Sequence, residues 1–336
     1  MKTLFCLAED RRGAEIGLKF AVLSLEEHCR GSRVVIFRPE SAPGFAIWLR
    51  KFPNVQLIAR RLPGANNWNC KPHALLELLP GIDDNTQLVW LDSDLVLTND
   101  IRPLLAQGAY NEIVVSQEPV NQPFRGSEIR TRGWSLPVGR VLEDTTNSCV
   151  VRVTSRHGHL LKRWHELLED PRYVAASNLP TEKKAPHLWG DQDVLCALLG
   201  STEFASLPLR LLAHGRDILH TGGAVGFTLM ERFHGLVRPL PPVLHAIAGK
   251  PWVLLRKENH WPGGFAWFRR LLQEISPYVA YVRKYRSHVD ESMDWINHRT
   301  WVGSILKIMG MGHWALRGLP VTLMATVVEW FRKSPR

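Results

Sequence analysis

The sequence predicts an α/β fold in which a mixed, mainly parallel β-sheet is covered by helices on both faces. One observation is that short apolar runs alternate with helix-like segments up to about residue 120, as they do in strand–helix repeats of parallel sheets. The other is that runs such as 88–91 are continuously apolar, which is typical of strands buried on both faces. With 336 residues and 45% hydrophobic side chains, the chain can bury a large core and still carry an appendage.

Strands and helices are predicted in alternation along the chain. The predicted strands are 3–7, 33–37, 55–59, 87–91 and 147–153, and the predicted helices are 15–28, 44–51, 71–79, 157–169 and 192–199. Residues 121–146 contain several Pro and Gly and are predicted to be a loop that serves as a lid on the acceptor side. Ligands bind at the carboxyl ends of parallel strands, so polar residues at those ends are the candidate site.

The beginning of the chain and its cysteines point to the cytoplasm. The N-terminal apolar run turns polar at Glu9 and is therefore too short for a signal peptide. We expect it to be the first strand of a cytoplasmic protein. The five cysteines form no C-x-x-C pair, so they are predicted to be reduced, mostly buried thiols rather than zinc ligands.

Residues 256–336 are predicted to form a helical, basic and aromatic tail after a main domain, 1–255. Residues 251–336 contain thirteen Lys or Arg against six Asp or Glu, so +7 of the net charge of +10 lies there. No apolar run in the tail approaches the ~20 residues of a membrane-spanning helix. The tail is therefore predicted to lie on the anionic, cytoplasmic surface of a membrane. The alternative is that its apolar residues cover the main domain as core helices. No binding motif accompanies the charge, so nucleic acid is not a predicted partner.

The clearest chemical signal is Asp92-Ser93-Asp94, which directly follows an apolar strand. Side chains at i and i+2 of an extended chain point the same way, so Asp92 and Asp94 can share one divalent cation. Such a cation can also hold a diphosphate. Two acids at a strand end are also common as solvated caps, so this motif needs support from others.

Two further motifs lie downstream. Gly-Asp-Gln-Asp at 190–193 opens a predicted helix, and its carboxylates and amide would suit sugar hydroxyls, although one Asp alone would serve as an N-cap. His245 precedes Lys-Pro-Trp at 250–252. An imidazole can complete a divalent-cation site, and a lysine can neutralise a diphosphate leaving group.

Taken in this order, the motifs resemble the retaining glycosyltransferases of family 8, which include glycogenin and bacterial lipooligosaccharide galactosyltransferases. The similarity covers roughly residues 1–255. The elements that carry it are Glu9 and Asp10 after the first strand, Lys71 before the motif strand, Leu-Asp-Ser-Asp at 91–94, Asn147, Gly-Asp-Gln-Asp at 190–193, and His245 before Lys-Pro-Trp.

The resemblance implies a GT-A fold, which is Rossmann-like, and transfer of a hexose from a UDP-sugar to a saccharide or glycolipid acceptor, with retention. It also implies Mn²⁺ or Mg²⁺ as the cofactor and polysaccharide or lipopolysaccharide biosynthesis as the setting. The residues carried over are Gln192 and Asp191 in catalysis; Ala8, Asp10, Lys71, Asp92, Ser93 and Lys250 at the donor; Asn147 and Asp191 at the acceptor; and Asp92, Asp94 and His245 at the metal.

Two departures from the family pattern leave alternatives open. His245 precedes Lys250 by five residues where the family usually has six, so His220 is the alternative third metal ligand. The Asn-Tyr that usually follows the first-strand acids is replaced near Arg11, which leaves the identity of the base open.

The sequence also leaves two other functions open. A phosphatase of the haloacid dehalogenase type would fit residues 92–97, which match its D-x-D-x-[TV]-[LV] signature, although that signature normally opens the fold. A non-catalytic saccharide-binding or scaffold protein on the same fold would fit the altered first loop and the spacing of His245.

Overall fold

The computed structural model describes residues 1–11, 13–39, 43–64, 69–118, 128–221, 228–247, 250–254, 271–289, 296 and 301–333. The strands in these ranges are β1 (Lys2–Ala8), β2 (Arg33–Phe37), β3 (Val55–Ile58), β4 (Thr86–Leu91), β5 (Leu95–Leu97), β6 (Ile113–Gln117), β7 (Thr146–Val153), β8 (Leu209–Leu212), β9 (Ile218–His220) and β10 (Val243–His245). The α-helices are α1 (Glu15–His28), α2 (Pro43–Leu49), α3 (Lys71–Leu78), α4 (Arg102–Ala106), α5 (Glu128–Gly133), α6 (Gly158–Leu168), α7 (Pro171–Ser177), α8 (Asp191–Leu199), α9 (Leu229–Val237), α10 (Pro251–Leu254), α11 (Pro277–Val282), α12 (Trp301–Met309) and α13 (Leu319–Lys333).

The chain forms two compact units, and each is discontinuous in sequence. The first unit comprises Met1–Leu18, Cys29–Ser93 and Ile101–Ala213, and the second comprises Lys19–His28, Asp94–Asp100 and His214–Arg336. The boundary expected between residues 255 and 256 stays a prediction.

The first unit is built on a seven-stranded sheet in the order β3-β2-β1-β4-β7-β6-β8. The pairs β3/β2, β2/β1, β1/β4 and β6/β8 are parallel. Among the described strands of this sheet, β7 alone runs antiparallel to its neighbours, β4 and β6. The sheet is therefore mixed and mainly parallel, which confirms the fold class predicted from the sequence.

Both faces of this sheet are covered. In β1 the residues Leu4–Leu7 are all buried, although alternate side chains of a strand point to opposite faces. On one face, side chains of β1, β2, β4, β6 and β7 form one apolar core with α3, α6 and α8. Trp164 of α6 is fully buried in this core, and its indole N–H donates to the carbonyl of Asp191 at 2.9 Å. This bond fixes the start of α8, where one of the sequence motifs lies.

Helix α5 lies within the segment predicted as a loop. Residues 128–133 form this helix, so the prediction of an irregular chain over 121–146 is wrong there. Arg130 is fully buried and pairs with Asp193 of α8 at 2.7 Å. A buried ion pair with a residue distant in sequence can stabilise a helix even in a stretch whose Gly and Pro content gives it a weak helix propensity. Residues 121–127 of the predicted lid lie outside the described residues.

The second unit contains a three-stranded sheet in the order β5-β10-β9. β10 is antiparallel to β5 and parallel to β9, so that His245 lies opposite both Leu95 and His220. Helices α11, α12 and α13 lie in the region predicted as a helical tail, and part of this region packs into a small core of Leu271, Leu272, Ile275, Leu306 and Val321. Within the described part of the chain, none of the helices has both the length and the hydropathy needed to cross a membrane.

The buried ion pair of Arg130 and Asp193 gives a stability prediction. Replacing Arg130 with Met leaves the Asp193 carboxylate buried without its cation, so we expect the free energy of unfolding to fall by about 3–5 kcal/mol. The double variant Arg130→Met/Asp193→Leu removes both charges and should recover most of that loss. Urea unfolding followed by circular dichroism measures both values. Equal losses in the single and double variants would contradict this account of the pair.

Candidate active site

A cleft in the first unit lies at the carboxyl ends of β1 and β4. These strands are parallel neighbours, so the polar residues that follow them meet at one edge of the sheet. The lining of the cleft contains five of the residues predicted to bind the donor, and the whole lining is Ala8, Glu9, Asp10, Arg11, Cys70, Lys71, Trp90, Asp92 and Ser93.

Lys71 at the start of α3 connects two of the predicted motifs. Its ammonium lies 3.0 Å from Asp92 Oδ1, at the end of β4, and 3.1 Å from Asp191 Oδ2, at the start of α8. It also donates to Ser148 Oγ at 2.7 Å, and Ser148 Oγ donates in turn to Asp191 Oδ2 at 2.7 Å. One buried cation therefore holds the first carboxylate of the D-x-D motif and the first carboxylate of Gly-Asp-Gln-Asp.

The electrostatics keep this lysine charged. Burial lowers the pKa of Lys71, but the nearby carboxylates of Asp191 and Asp92 more than offset that effect, and its pKa is raised above the ordinary value. The N-cap of α8 is Gly190, and its first helical residue, Asp191, uses its side chain on Lys71 and Ser148. The alternative reading of Asp191 as a helix cap is therefore wrong.

Glu9 anchors the rim of the cleft. Its carboxylate accepts hydrogen bonds from Ser93 Oγ at 2.6 Å and from the Arg11 guanidinium at 2.6 and 2.8 Å. Burial raises the pKa of Glu9, but the hydrogen bonds and charge of Arg11 outweigh it, so the pKa is lowered overall. Next to Glu9, Asp10 Oδ2 is buried and accepts no hydrogen bond from the described residues. The cleft therefore contains a buried oxygen that a ligand hydroxyl or amine can satisfy.

A second polar cluster in the same unit surrounds Glu118, directly after β6. Glu118 Oε2 accepts hydrogen bonds from Asn147 Nδ2 at 2.6 Å and from Gln192 Nε2 at 3.0 Å. The antiparallel pairing of β6 with β7 produces this arrangement, because it aligns Ser116 with Asn147 after a register shift in β6. Two predicted site residues, Gln192 and Asn147, are thus brought together by a carboxylate.

Sequence reasoning missed Glu118 and Ser148. Glu118 follows an apolar strand, the same position that drew attention to Asp92, but it stands alone without a second acid to mark it. Ser148 lies inside a strand, and its role comes only from the antiparallel pairing that places β7 beside β4.

The second unit carries Asp94, His245 and Lys250. The Lys250 ammonium donates to Asp94 Oδ2 and to the carbonyl of Ala246, the latter at 3.0 Å. His245 Nε2 lies 3.5 Å from Asp94 Oδ1. The backbone holds the same groups in place, because the N–H of Ala246 donates to the carbonyl of Asp94 at 3.1 Å. Of the two candidate histidines, His245 has the contact with Asp94, and His220 lies beside the other ring nitrogen of His245, at 2.8 Å.

These residues fit a hard or borderline divalent cation. Asp94 Oδ1 is buried and accepts no hydrogen bond from the described residues, although it faces an imidazole nitrogen. One carboxylate oxygen and one imidazole nitrogen are ligands that suit Mn²⁺, and carboxylate also suits Mg²⁺. Asp92, the other predicted carboxylate ligand, is two residues away along the chain. In the first unit it lies against Lys71, and Trp90 Nε1 donates to its Oδ1 at 2.7 Å.

Comparison with known proteins identifies the fold. No protein-family model matches the chain, and no curated protein matches its sequence. The galactosyltransferase LgtC, solved with donor and acceptor sugar analogues, matches at a TM-score of 0.50 and 15% identity, over 85% of this chain and 100% of LgtC. The bifunctional glycosyltransferase WbbM gives 0.47 and 13%, over 75% of this chain and 47% of WbbM. Mouse xyloside xylosyltransferase 1 gives 0.45 and 15%, over 75% of this chain and 99% of that protein.

The likeness to LgtC, at 15% identity, confirms the resemblance predicted from the sequence at the level of the GT-A fold. The chain spans about half the length of WbbM.

The lowered pKa of Glu9 gives a prediction for stability against pH. A carboxylate whose pKa is lower in the folded state stabilises that state above its unfolded pKa, near 4.5, and loses the effect as the pH falls through the folded pKa. We expect Glu9→Gln to lose roughly 1.5–3 kcal/mol of unfolding free energy at pH 7, the range for hydrogen bonds to charged groups. This loss should become smaller as the pH falls below 4.5 and the Glu9 carboxylate of the wild type takes up a proton.

Urea unfolding of both proteins across this pH range measures the difference. The exposed Glu182 supplies the control, because Glu182→Gln should follow the wild type at every pH. A loss in Glu9→Gln that is the same at pH 3 and pH 7 would show that Glu9 acts through packing rather than through its charge.

Proposed function

We propose that the protein is a metal-dependent glycosyltransferase that moves a hexose from a UDP-sugar to a saccharide or glycolipid acceptor, with retention. The observation that carries the proposal is the buried Lys71, which binds both Asp92 of the D-x-D motif and Asp191 of the Gly-Asp-Gln-Asp motif. The GT-A fold shared with LgtC supports it.

The donor would occupy the cleft at the ends of β1 and β4. Ala8, Asp10 and Ser93 line this cleft and would contact the nucleoside. Asp92, Asp94 and His245 would hold Mn²⁺ or Mg²⁺, which when bound neutralises negative charge on the diphosphate. Lys250 supplies a second positive charge for the departing nucleoside diphosphate, and stabilisation where charge develops lowers the barrier.

Gln192 and Asp191 would act at the reacting carbon and the sugar hydroxyls. Glu118 holds the amide nitrogen of Gln192, so the carbonyl oxygen Oε1 is the side of the amide left for a substrate. The carboxylate of Asp191 lies 3.1 Å from the Lys71 ammonium and can accept hydrogen bonds from sugar hydroxyls. Asn147, which shares Glu118 with Gln192, would contact the acceptor.

The transfer itself needs no strong nucleophile on the protein. The bond between the anomeric carbon and the diphosphate oxygen breaks, and the acceptor oxygen bonds to the same face of that carbon. The acceptor proton passes to the departing phosphate oxygen, so atoms and charge balance. The protein's residues orient the two sugars and stabilise the leaving group, which are the effects that proximity and preorganised charge supply.

The second unit supports an acceptor at a membrane surface. Large apolar side chains are exposed on and after α12, among them Trp301 (76% exposed) and Met311 (83%), and the exposed Lys307 lies between them in sequence. Apolar and aromatic groups with basic neighbours fit the headgroup region of an anionic bilayer. We therefore propose peripheral attachment to the cytoplasmic face of the membrane and a lipid-linked saccharide acceptor, as in polysaccharide or lipopolysaccharide biosynthesis.

The fold argues against one of the two alternative functions but is compatible with the other. A haloacid dehalogenase-type phosphatase would require the D-x-D strand to open the fold, whereas β4 is the fourth strand along the chain. A non-catalytic saccharide-binding protein has the same fold and is separated from an enzyme only by turnover. Slow, metal-dependent hydrolysis of a UDP-sugar would exclude it.

The donor and metal assignments predict a ligand-dependent thermal shift. We expect a UDP-sugar with Mn²⁺ to raise the unfolding midpoint by several degrees, because a ligand at 100 times its Kd adds about 2.7 kcal/mol of stability. Asp94→Asn should lose this shift, since it removes a charged metal ligand. Asp84→Asn, an exposed acid that follows α3, is the matched control and should keep it. No shift with any nucleotide in the wild type would overturn the proposed donor site.

The Glu118 cluster predicts a split between kcat and KM. Glu118→Gln removes the charged acceptor of the Gln192 amide and so weakens the hydrogen bond that orients it. We expect kcat to fall by about 10–100-fold, because misplacing a group at the reacting centre slows the chemical step. The KM for the donor should change little. Glu112→Gln is the matched control, because Glu112 precedes the same strand at its other end and pairs with Arg210 at 2.8 Å. Initial rates at varied UDP-sugar concentration measure kcat and KM for each variant. An equal fall of kcat in Glu118→Gln and Glu112→Gln would exclude a role of Glu118 in catalysis.

A further inference from the structure

A series of polar side chains, some buried and some half-buried, continues behind His245 in the second unit. β10 and β9 are parallel, and their register places His245 opposite His220. The two rings meet through their Nδ1 atoms, 2.8 Å apart, and both side chains are buried. His220 therefore contacts the ring nitrogen of His245 that faces away from Asp94.

This contact, together with the proposed metal ligation by His245, sets which nitrogen of each ring would carry a proton. His245 Nε2 lies 3.5 Å from Asp94 Oδ1, so Nε2 is the atom that would bind a cation there, and it must offer a lone pair. The proton of neutral His245 is then on Nδ1, which donates to His220 Nδ1. His220 must accept at Nδ1, and its own proton is therefore on Nε2.

His220 is held in turn by His214 and Glu231. The rings of His214 and His220 are stacked with centroids 5.2 Å apart, and the backbone N–H of His220 points to His214 Nδ1 at 3.5 Å. His214 Nε2 bonds to a carboxylate oxygen of Glu231. The other oxygen of Glu231 accepts the backbone N–H of Thr228 at 2.6 Å, in the capping box of α9. The carboxylate is thus fixed by the helix start.

We propose that His220 is a positioning residue that fixes the tautomer and the ring orientation of His245 for metal binding, and that Glu231 and His214 hold His220 for this task. The proposal rests on the proposed function, in which His245 is a metal ligand. Ligating histidines commonly bond through their second nitrogen to such an outer partner, and loss of the partner typically weakens metal affinity by about 10–100-fold.

Two variants of similar size separate the hydrogen bond from packing. His220→Leu fills the space but offers no acceptor to His245 Nδ1. His220→Asn places an amide oxygen close to the position of the original Nδ1 and can accept the same bond. We expect His220→Leu to bind Mn²⁺ about 10–100-fold more weakly than the wild type. The Mn²⁺ affinity of His220→Asn should be much closer to that of the wild type.

Mn²⁺ affinity is measured without nucleotide, from the electron paramagnetic resonance signal of free Mn²⁺ in a titration of the full chain at constant pH. Nitrogen couplings of bound Mn²⁺, from pulsed measurements, report whether one imidazole stays coordinated in each variant. Retention of that coupling with weaker affinity in His220→Leu supports the proposal. Loss of the coupling in both His220 variants would show that His220 is itself the ligand and would overturn it.

The remaining outcomes are also decisive. If the wild type binds Mn²⁺ and His220→Leu binds it equally well, the positioning role is wrong and the metal site stands. If the wild type does not bind Mn²⁺, the proposed metal site fails and this inference falls with it. If His220→Leu does not fold, Glu231→Gln provides the test, because it removes the charge that holds His214. It should weaken Mn²⁺ binding by a smaller factor, and an unchanged affinity would overturn the proposal.

Discussion

The buried ammonium of Lys71, placed between the carboxylates of Asp92 and Asp191, is the interaction on which the first unit's site depends. Removing an ammonium from water costs several kcal/mol, and partners must offset that cost within the protein. Here two carboxylates and Ser148 do so at distances of 2.7–3.1 Å. Since the partners come from the end of β4, the inside of β7 and the start of α8, the ion cluster fixes those three elements against α3.

The first turn of α8 shows how this constraint shapes the chemistry. Asp191 and Gln192 are neighbours in sequence, but Lys71 and Ser148 hold the first, whereas Glu118 holds the second. Two separate anchors on adjacent residues leave the helix start little freedom. A site that works by orientation and charge rather than by a nucleophile needs such rigidity, because small displacements of the reacting groups are costly.

The second unit uses the same principle in a different arrangement. The two oxygens of Asp94 have different surroundings, because Oδ2 accepts from Lys250 and Oδ1 faces His245. Behind His245, the polar chain through His220 ends at the carboxylate of Glu231, which the capping box of α9 holds. The buried rings of His220 and His245 restrict each other's orientation through this contact, as expected where desolvation makes an unpaired group costly.

The sequence by itself determined the alternation of strands and helices and the position of the acids at strand ends, because hydrophobic periodicity is local. The strand at 33–37 and the helix at 15–28 were predicted with the bounds that the structure has. Only the tertiary structure decided that β7 is inserted antiparallel between β4 and β6, which brings Asn147 to Glu118. It also decided that residues 128–133 are helical and that His220 lies behind His245. The physical reason is that strand pairing and burial join residues distant in sequence, and no local pattern of side chains encodes their partners.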